Sequence, residues 1–296
     1  MPAAPVECAT PRAAAPAAAT GGLTLVSWNV HGLPFDGTLE ARIDNISGEI
    51  LRRRPDLVLL QEAWTTGAAA RFDCRLRGEY EAAPDAEGVR AGPLALFGHR
   101  RGGLLALVRR DSPWKIDPAA APRFTEYEAS GSWYRVMSER DGIAGKGFQL
   151  FAVGDGAARI AVLHTHLQAQ YEGRDYAEVR RAQIRQLLDH ADGAGAEVTL
   201  VAGDFNTHPG EAALYGELTR DLRDLTADFH RACGCGTLAG AGRGPRHWID
   251  YVLARPAGAV KLGSKADLIR NTAVREPYSD HHGIWMQMRI VKGSEE

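Results

Sequence analysis

Residues 197–209 read EVTLVAGDFNTHP. A short apolar run at 198–202 breaks at Gly203 and delivers Asp204 and Asn206 just beyond it. Side chains alternate with period two along a strand, so both polar groups fall on one side of a tight corner. Asp204 supplies an acceptor or a base; Asn206 supplies both a donor and an acceptor without charge. That pair suits a phosphate held beside a metal ion. The plainer alternative is an Asx turn closing a strand.

Other strand-like runs also end on chemistry. Asn29 follows the run 23–28, Glu62 follows 56–60, and His166 closes 159–164. Asp250 lies near the start of a run at 247–253, and Asp280 with His281 just ahead of 284–290. If the last two strands run antiparallel to the others, all these groups meet at one end of a mixed sheet. Open α/β sheets hold ligands at such ends. Each residue alone has an ordinary reading: Glu62 as a solvated strand end, Asn29 as a turn cap, His166 as a core histidine, Asp280 as a loop acid. Asp250, between Ile249 and Tyr251, is a carboxylate in a buried run and needs a partner. His281 is the candidate, since a carboxylate fixes an imidazole's tautomer and raises its basicity.

Carboxylate and amide oxygens without thiolates point to Mg²⁺, with Mn²⁺ also suited, rather than zinc. Glu62 is the natural anchor, with Asn29 and Asp280 beside it. Such an ion polarises a phosphoryl oxygen. No Ser/His/Asp or Cys/His set sits at the strand ends, and there is no GxxxxGK[ST] loop. Water as nucleophile and a phosphate ester as target remain. Either His281 or Asp204 could take the proton of that water.

The elements that must position these groups alternate. A strand (23–28), a helix (44–54, with Ile46, Ile50 and Leu51 on one face) and a strand (56–60) open the chain. A helix at 68–76 and a strand at 104–108 follow. Strands at 146–153 and 159–164 form a hairpin around Gly154-Asp155-Gly156. A helix at 176–190 directs Ile184, Leu187 and Leu188 inward and Arg180, Arg181 and Arg185 outward. After the 198–202 strand come a helix at 211–218, a loop-rich stretch at 221–244 and the last two strands. No repeat or second-domain boundary is visible.

Composition is ordinary for a globular protein. The 296 residues carry a formal net charge of −2, without the basic excess of a dedicated duplex-binding protein. No apolar run approaches the roughly 20 residues that span a membrane. Residues 1–22 are Ala/Pro-rich and read as a disordered leader ahead of a catalytic domain at 23–292. Cys8, Cys74, Cys233 and Cys235 permit two disulfides, with pairing open. The even count and the leader favour a secreted or periplasmic location over a cytoplasmic one. Nothing indicates an obligate protein partner.

SWNVHG, DLVLLQE, HTHLQA, AGDFN, IDYVL and SDHHG occur in that order. Together they resemble the endonuclease/exonuclease/phosphatase superfamily of metal-dependent phosphoesterases, over residues 23–290. The resemblance implies two packed mixed β-sheets flanked by helices, a four-layer α/β sandwich. It implies metal binding by Asn29, Glu62 and Asp280, orientation of water and phosphate by Asp204 and Asn206, and a closing His281 oriented by Asp250. His166 is then a phosphoryl ligand and a candidate acid for the leaving group. HTHLQA, followed by a helix bearing Arg180 and Gln183, is similar to neutral sphingomyelinases, as is Lys146-Gly147 opening a strand. A phospholipid substrate is favoured, with transient contact to a membrane surface. No clear membrane-inserting aromatic hairpin is visible, and the aromatics of 114–134 (Trp114, Phe124, Tyr127, Trp133, Tyr134) either make that contact or, more commonly for such residues, pack in the core and loops. A nuclease using the same site on DNA or RNA is the alternative, and a non-catalytic binding module a third.

Overall fold

The structure is a computed structural model. It describes residues 8–10, 22–33, 36–83, 98–100, 102–120, 122–130, 141–171, 175–192, 195–239, 247–270 and 278–292. Most of the leader, Trp133 and Tyr134 lie outside these residues.

In chain order the elements are β1 (Gly22–Asn29), α1 (Leu39–Arg53), β2 (Leu57–Gln61), α2 (Thr66–Leu76), β3 (Tyr80–Ala82), β4 (Leu105–Arg109), β5 (Lys115–Ile116), β6 (Arg123–Glu126), α3 (Asp141–Ala144), β7 (Gly147–Gly154), β8 (Arg159–His166), α4 (Ala177–Asp192), β9 (Val198–Asp204), α5 (Ala212–Thr219), β10 (Arg223–Asp224), α6 (Ala227–Cys233), β11 (Asp250–Pro256), β12 (Lys261–Ile269) and β13 (Gly283–Val291). The first sheet has six strands in the order β12-β13-β1-β2-β4-β3. The second has seven, β10-β11-β9-β8-β7-β5, with β6 also on β7. β1 and β2 run parallel, as do β8 and β9. β13 is antiparallel to β1, and β11 to β9. The two closing strands therefore reverse direction, as convergence of the polar groups requires.

Period-two alternation assigns the layers. Leu23 and Leu25 of β1 and Leu57 and Leu59 of β2 enter the core between the sheets. Val26, Trp28, Val58 and Leu60 point the other way, onto Ile43, Ile46 and Ile50 of α1 and Phe72 of α2. On the far side Ile184 and Leu187 of α4 and Leu214 and Leu218 of α5 cover the second sheet. The order is helices, sheet, sheet, helices. Trp114 and Tyr127 are buried in the hydrophobic core, Tyr127 against Phe148 and Thr165 of the second sheet, so packing rather than membrane contact accounts for them.

Some expected elements shift. α1 begins at Leu39, ahead of the apolar stripe that marks it in the sequence. β12 was not expected, because five of its nine residues are exposed on an edge and hide the alternation. The strand bearing Asp250 starts at Asp250 itself. Arg180 is buried rather than outward: its guanidinium bonds Glu211 Oε1 at 2.5 Å and Gln170 Oε1 at 3.0 Å. Those partners lie outside the helix and are invisible to helical periodicity.

Cys8 is bonded to Cys74 of α2, and Cys233 to Cys235. Gly203 of β9 lies opposite Thr165 of β8, with no room for a side chain. Its φ is +149°, and a Cβ there would sit 1.9 Å from the carbonyl oxygen of Thr165, its register partner. Gly203→Ala should cost about 3 kcal/mol or more, from a backbone clash added to dihedral strain. Urea unfolding measures it; a loss under 1 kcal/mol would contradict this placement.

Candidate active site

The register of the strands assembles the site. Asn29 closes β1 beside Gln61 at the end of β2. His166 closes β8 opposite Asp204 at the end of β9, and Asp204 faces Asp250 at the start of β11. Asn29 has the same parity as Leu23 and Leu25, so it points at the second sheet. There its Nδ2 donates to Asp204 Oδ2 and to Glu62 Oε1, 2.9 Å each. One amide thus joins two carboxylates from two sheets.

Among the described residues, four other than glycine have positive φ: His31 (47°), Arg54 (51°), Glu62 (64°) and Asn206 (48°). Arg54 is the left-handed cap of α1. The other three are site residues, each just past a strand end. Such conformations cost about 1–3 kcal/mol and concentrate where function holds them. At Glu62 the turn brings Oε2 to Trp64 Nε1 (3.2 Å). At Asn206 the backbone N–H donates to Asp204 Oδ1 (2.9 Å), and the side-chain amide to the carbonyl of Leu167 (3.1 Å).

His281 Nδ1 bonds Asp250 Oδ2 at 2.8 Å, and its Nε2 lies 3.7 Å from Asp204 Oδ2. All three residues are buried. Burial pulls the imidazole down, but the charges of Asp250 and Asp204 outweigh it and lift it to about 10. Burial and the neighbouring Asp250 charge lift the Asp204 carboxyl toward neutrality. One proton is therefore held between two groups that face the same space.

Burial, reinforced by the Lys146 charge, drives His166 well below its usual pKa, so it is neutral. Lys146 Nζ reaches its Nε2 at 2.9 Å, the carbonyl of Leu167 at 2.7 Å and Asp141 Oδ2 at 2.9 Å. Donation to Nε2 places the His166 proton on Nδ1. Sequence reasoning assigns Lys146 no role of its own; its signal is a lysine opening an apolar strand. Lys146→Met should lower turnover about 100-fold and, by stranding buried Asp141, cost about 3–5 kcal/mol of stability. Turnover and urea unfolding of the purified variant measure both, and an unchanged midpoint would refute the buried pair.

Asp280 is half-exposed and pairs with His31 Nδ1 at 3.1 Å. Burial raises its carboxyl, but the His31 hydrogen bond and the His281 charge overcome this and hold it at about 2. Among the described residues, two triplets have ligand atoms within 4.8 Å of one another: Glu62–His166–Asp204 and Asp204–Asp250–His281. Asp280 belongs to neither.

These donors suit a hard divalent cation. Glu62 Oε1 and Asp204 Oδ2 are anionic oxygens tied to one amide, in a region where carboxylates outnumber resident cations. The arrangement can hold a phosphate between Asn206, His166 and a cation, and can carry the proton of an attacking water.

A family model described as Endonuclease/Exonuclease/phosphatase family matches residues 26–281. The chain belongs to the endonuclease/exonuclease/phosphatase family. Members of this family are hydrolases of phosphodiester bonds and commonly use divalent metal ions. No curated protein matches the chain in a sequence search. Among solved structures, TDP2 from D. rerio complexed with single strand DNA product is 17% identical, with 90% of this chain and 98% of that one covered and a TM-score of 0.66. Sphingomyelinase C from Streptomyces griseocarneus is 20% identical, with 90% and 99% covered and a TM-score of 0.61. A beta toxin structure from Staphylococcus aureus is 16% identical, with 92% and 100% covered and a TM-score of 0.64. At these identities the likeness is one of fold. The sandwich expected from the sequence is the one these members of the family share.

Proposed function

We propose that this family member is a Mg²⁺-dependent phosphodiesterase acting on a phospholipid of the sphingomyelin type. Glu62 and Asn29 would hold the cation, with Asp280 as a further ligand. A cation held there would polarise a phosphoryl oxygen and offset the charge that develops on it. Asn206 and neutral His166 bind the phosphoryl oxygens, and Lys146 keeps His166 in one tautomer. The Asp204–His281 pair accepts the proton of the attacking water, and Asp250 fixes the imidazole. Whether Asp204 or His281 carries the proton afterwards is a property of the pair, because the two titrate together.

The character of the rim supports lipid over nucleic acid. Tyr171 is half-buried and hydrogen-bonded to Asp141, and Asp280 is exposed and paired with His31. Aromatic faces and carboxylates favour a quaternary ammonium group. A strand of phosphates calls for Lys and Arg instead. Two disulfides among the described residues support an oxidising compartment for the protein.

The deciding assay pairs phosphocholine release from sphingomyelin vesicles with cleavage of a single-stranded oligonucleotide, each with Mg²⁺ and with EDTA. Metal-dependent phosphocholine release is expected. Oligonucleotide cleavage without lipid turnover would transfer the reading to a nuclease. Equal rates with and without Mg²⁺ would remove both.

A further inference from the structure

A short strap from α6 runs behind the Asp250–His281 pair. α6 ends at Gly234, which takes the left-handed conformation (φ 56°), and its N–H returns to the carbonyl of His230 at 3.1 Å. The Cys233–Cys235 disulfide closes across that glycine. Two residues later the chain reaches Thr237, which is fully buried. Thr237 Oγ1 accepts from the backbone N–H of Ile249 (3.0 Å) and of Asp250 (3.3 Å). Its carbonyl accepts from the N–H of His282 at 2.6 Å. Leu238 forms a β-bridge with His281, and the N–H of Ala239 donates to the carbonyl of Asp280 at 2.6 Å.

These contacts span one gap. Asp250 opens β11 in the second sheet, and His281 precedes β13 in the first. The side-chain bond between them crosses from sheet to sheet, and the strap holds the backbone on both sides of it. Two buried N–H groups depend on one hydroxyl, which valine cannot replace. A disulfide joining positions only two residues apart restricts the unfolded chain little, so its effect on global stability is small. Its effect is local: it fixes where the chain leaves α6 and hence where Thr237 arrives. Both sulfurs belong to half-buried residues, open to a small reductant.

We propose that Thr237 is the positioning residue of the Asp250–His281 pair and that the Cys233–Cys235 bond holds it in place, so that reduction of this bond lowers turnover. This rests on the hydrolase reading above. In the reduction, a thiolate of a dithiol attacks one sulfur and the other leaves as a thiolate, breaking the Cys233–Cys235 bond. The dithiol's second thiolate then attacks its own bound sulfur and expels the protein's remaining sulfur. The dithiol leaves as a cyclic disulfide. The protein gains two electrons and two protons as two thiols.

The test uses the full chain and bis(4-nitrophenyl) phosphate with Mg²⁺. Thr237→Val should lower kcat about 30-fold with KM within twofold, and Thr237→Ser should restore kcat to within threefold of wild type. Cys233→Ser/Cys235→Ser should lose about tenfold in kcat and become insensitive to dithiothreitol. Wild type and Cys8→Ser/Cys74→Ser should each lose about tenfold on reduction and recover on reoxidation. Hydrogen exchange supplies a readout free of activity: the amides of Asp250 and His282 should exchange at least tenfold faster in Thr237→Val and in the reduced protein. Unchanged exchange, or wild-type kcat in Thr237→Val or the Cys233/Cys235 variant, would overturn the proposal. Failure of the hydrolase reading looks different: wild type would not turn over the diester, while the exchange result would still judge the strap.

Discussion

His281→Ala should lower the rate of phosphodiester hydrolysis about a thousandfold, within the range of a lost general base or acid. Asp204→Asn should lose a comparable factor, because Asp204 Oδ2 and His281 Nε2 are 3.7 Å apart and share the proton. The double variant should be little worse than either single one, since groups that act as a unit are not additive. Additive losses would show that the two act separately. The same pair sets a pH dependence of stability. Asp250 and Asp204 lift His281 to about 10 against burial, whereas the unfolded chain releases that proton near 6.5. The folded protein therefore binds the extra proton between those values. Stability from it is complete below about 6.5 and is lost as the pH rises toward 10. Urea unfolding in EDTA across that window should show stability falling in wild type and a flatter profile in His281→Ala. A rise with pH in wild type would contradict the placement of the two acids.

Glu62→Gln should reduce activity about a thousandfold at moderate Mg²⁺, with partial recovery as the metal is raised. The change keeps size and removes the charge, but Gln accepts at one oxygen only and so keeps one of the two bonds that Glu62 accepts from Asn29 and Trp64. Asn29 Nδ2 at 2.9 Å and Trp64 Nε1 at 3.2 Å already satisfy Glu62 as hydrogen-bond acceptor, so the fold needs no cation to hold the side chain. Stability should fall by about 1–3 kcal/mol, because one donor in a part-buried site loses its acceptor. Isothermal titration with Mg²⁺ reads the metal directly: affinity falls at least tenfold, beside the modest drop in unfolding midpoint that the lost hydrogen bond brings. Wild-type Mg²⁺ affinity in Glu62→Gln would move the cation elsewhere.

Much of this molecule is legible in its sequence, because strand ends and strand parity are local facts. The run ending at Asn29, the one ending just before Glu62 and the one ending in Asp204 each declare which side chain reaches the sheet edge. The order of the motifs declares the family. Edge strand β12 was not legible, since exposure on one face and on its outer edge leaves little apolar alternation to read. Arg180 was misread because its partners, Glu211 and Gln170, come from segments that helical periodicity does not describe.

The sequence by itself determined the strands, the helices and the inventory of polar strand ends, because backbone periodicity and residue chemistry act within a few positions of one another; the two-sheet sandwich followed from the resemblance that the ordered motifs carry. Tertiary structure alone decided which of these groups touch. It joined Asn29 to both Glu62 and Asp204, gave Lys146 to His166, turned Asp280 toward His31, and set Thr237 behind Asp250 and His281. Each of those contacts joins residues that only register and sheet-on-sheet packing bring together. The shared charges and protons of buried groups follow from distance in space, which no local pattern encodes.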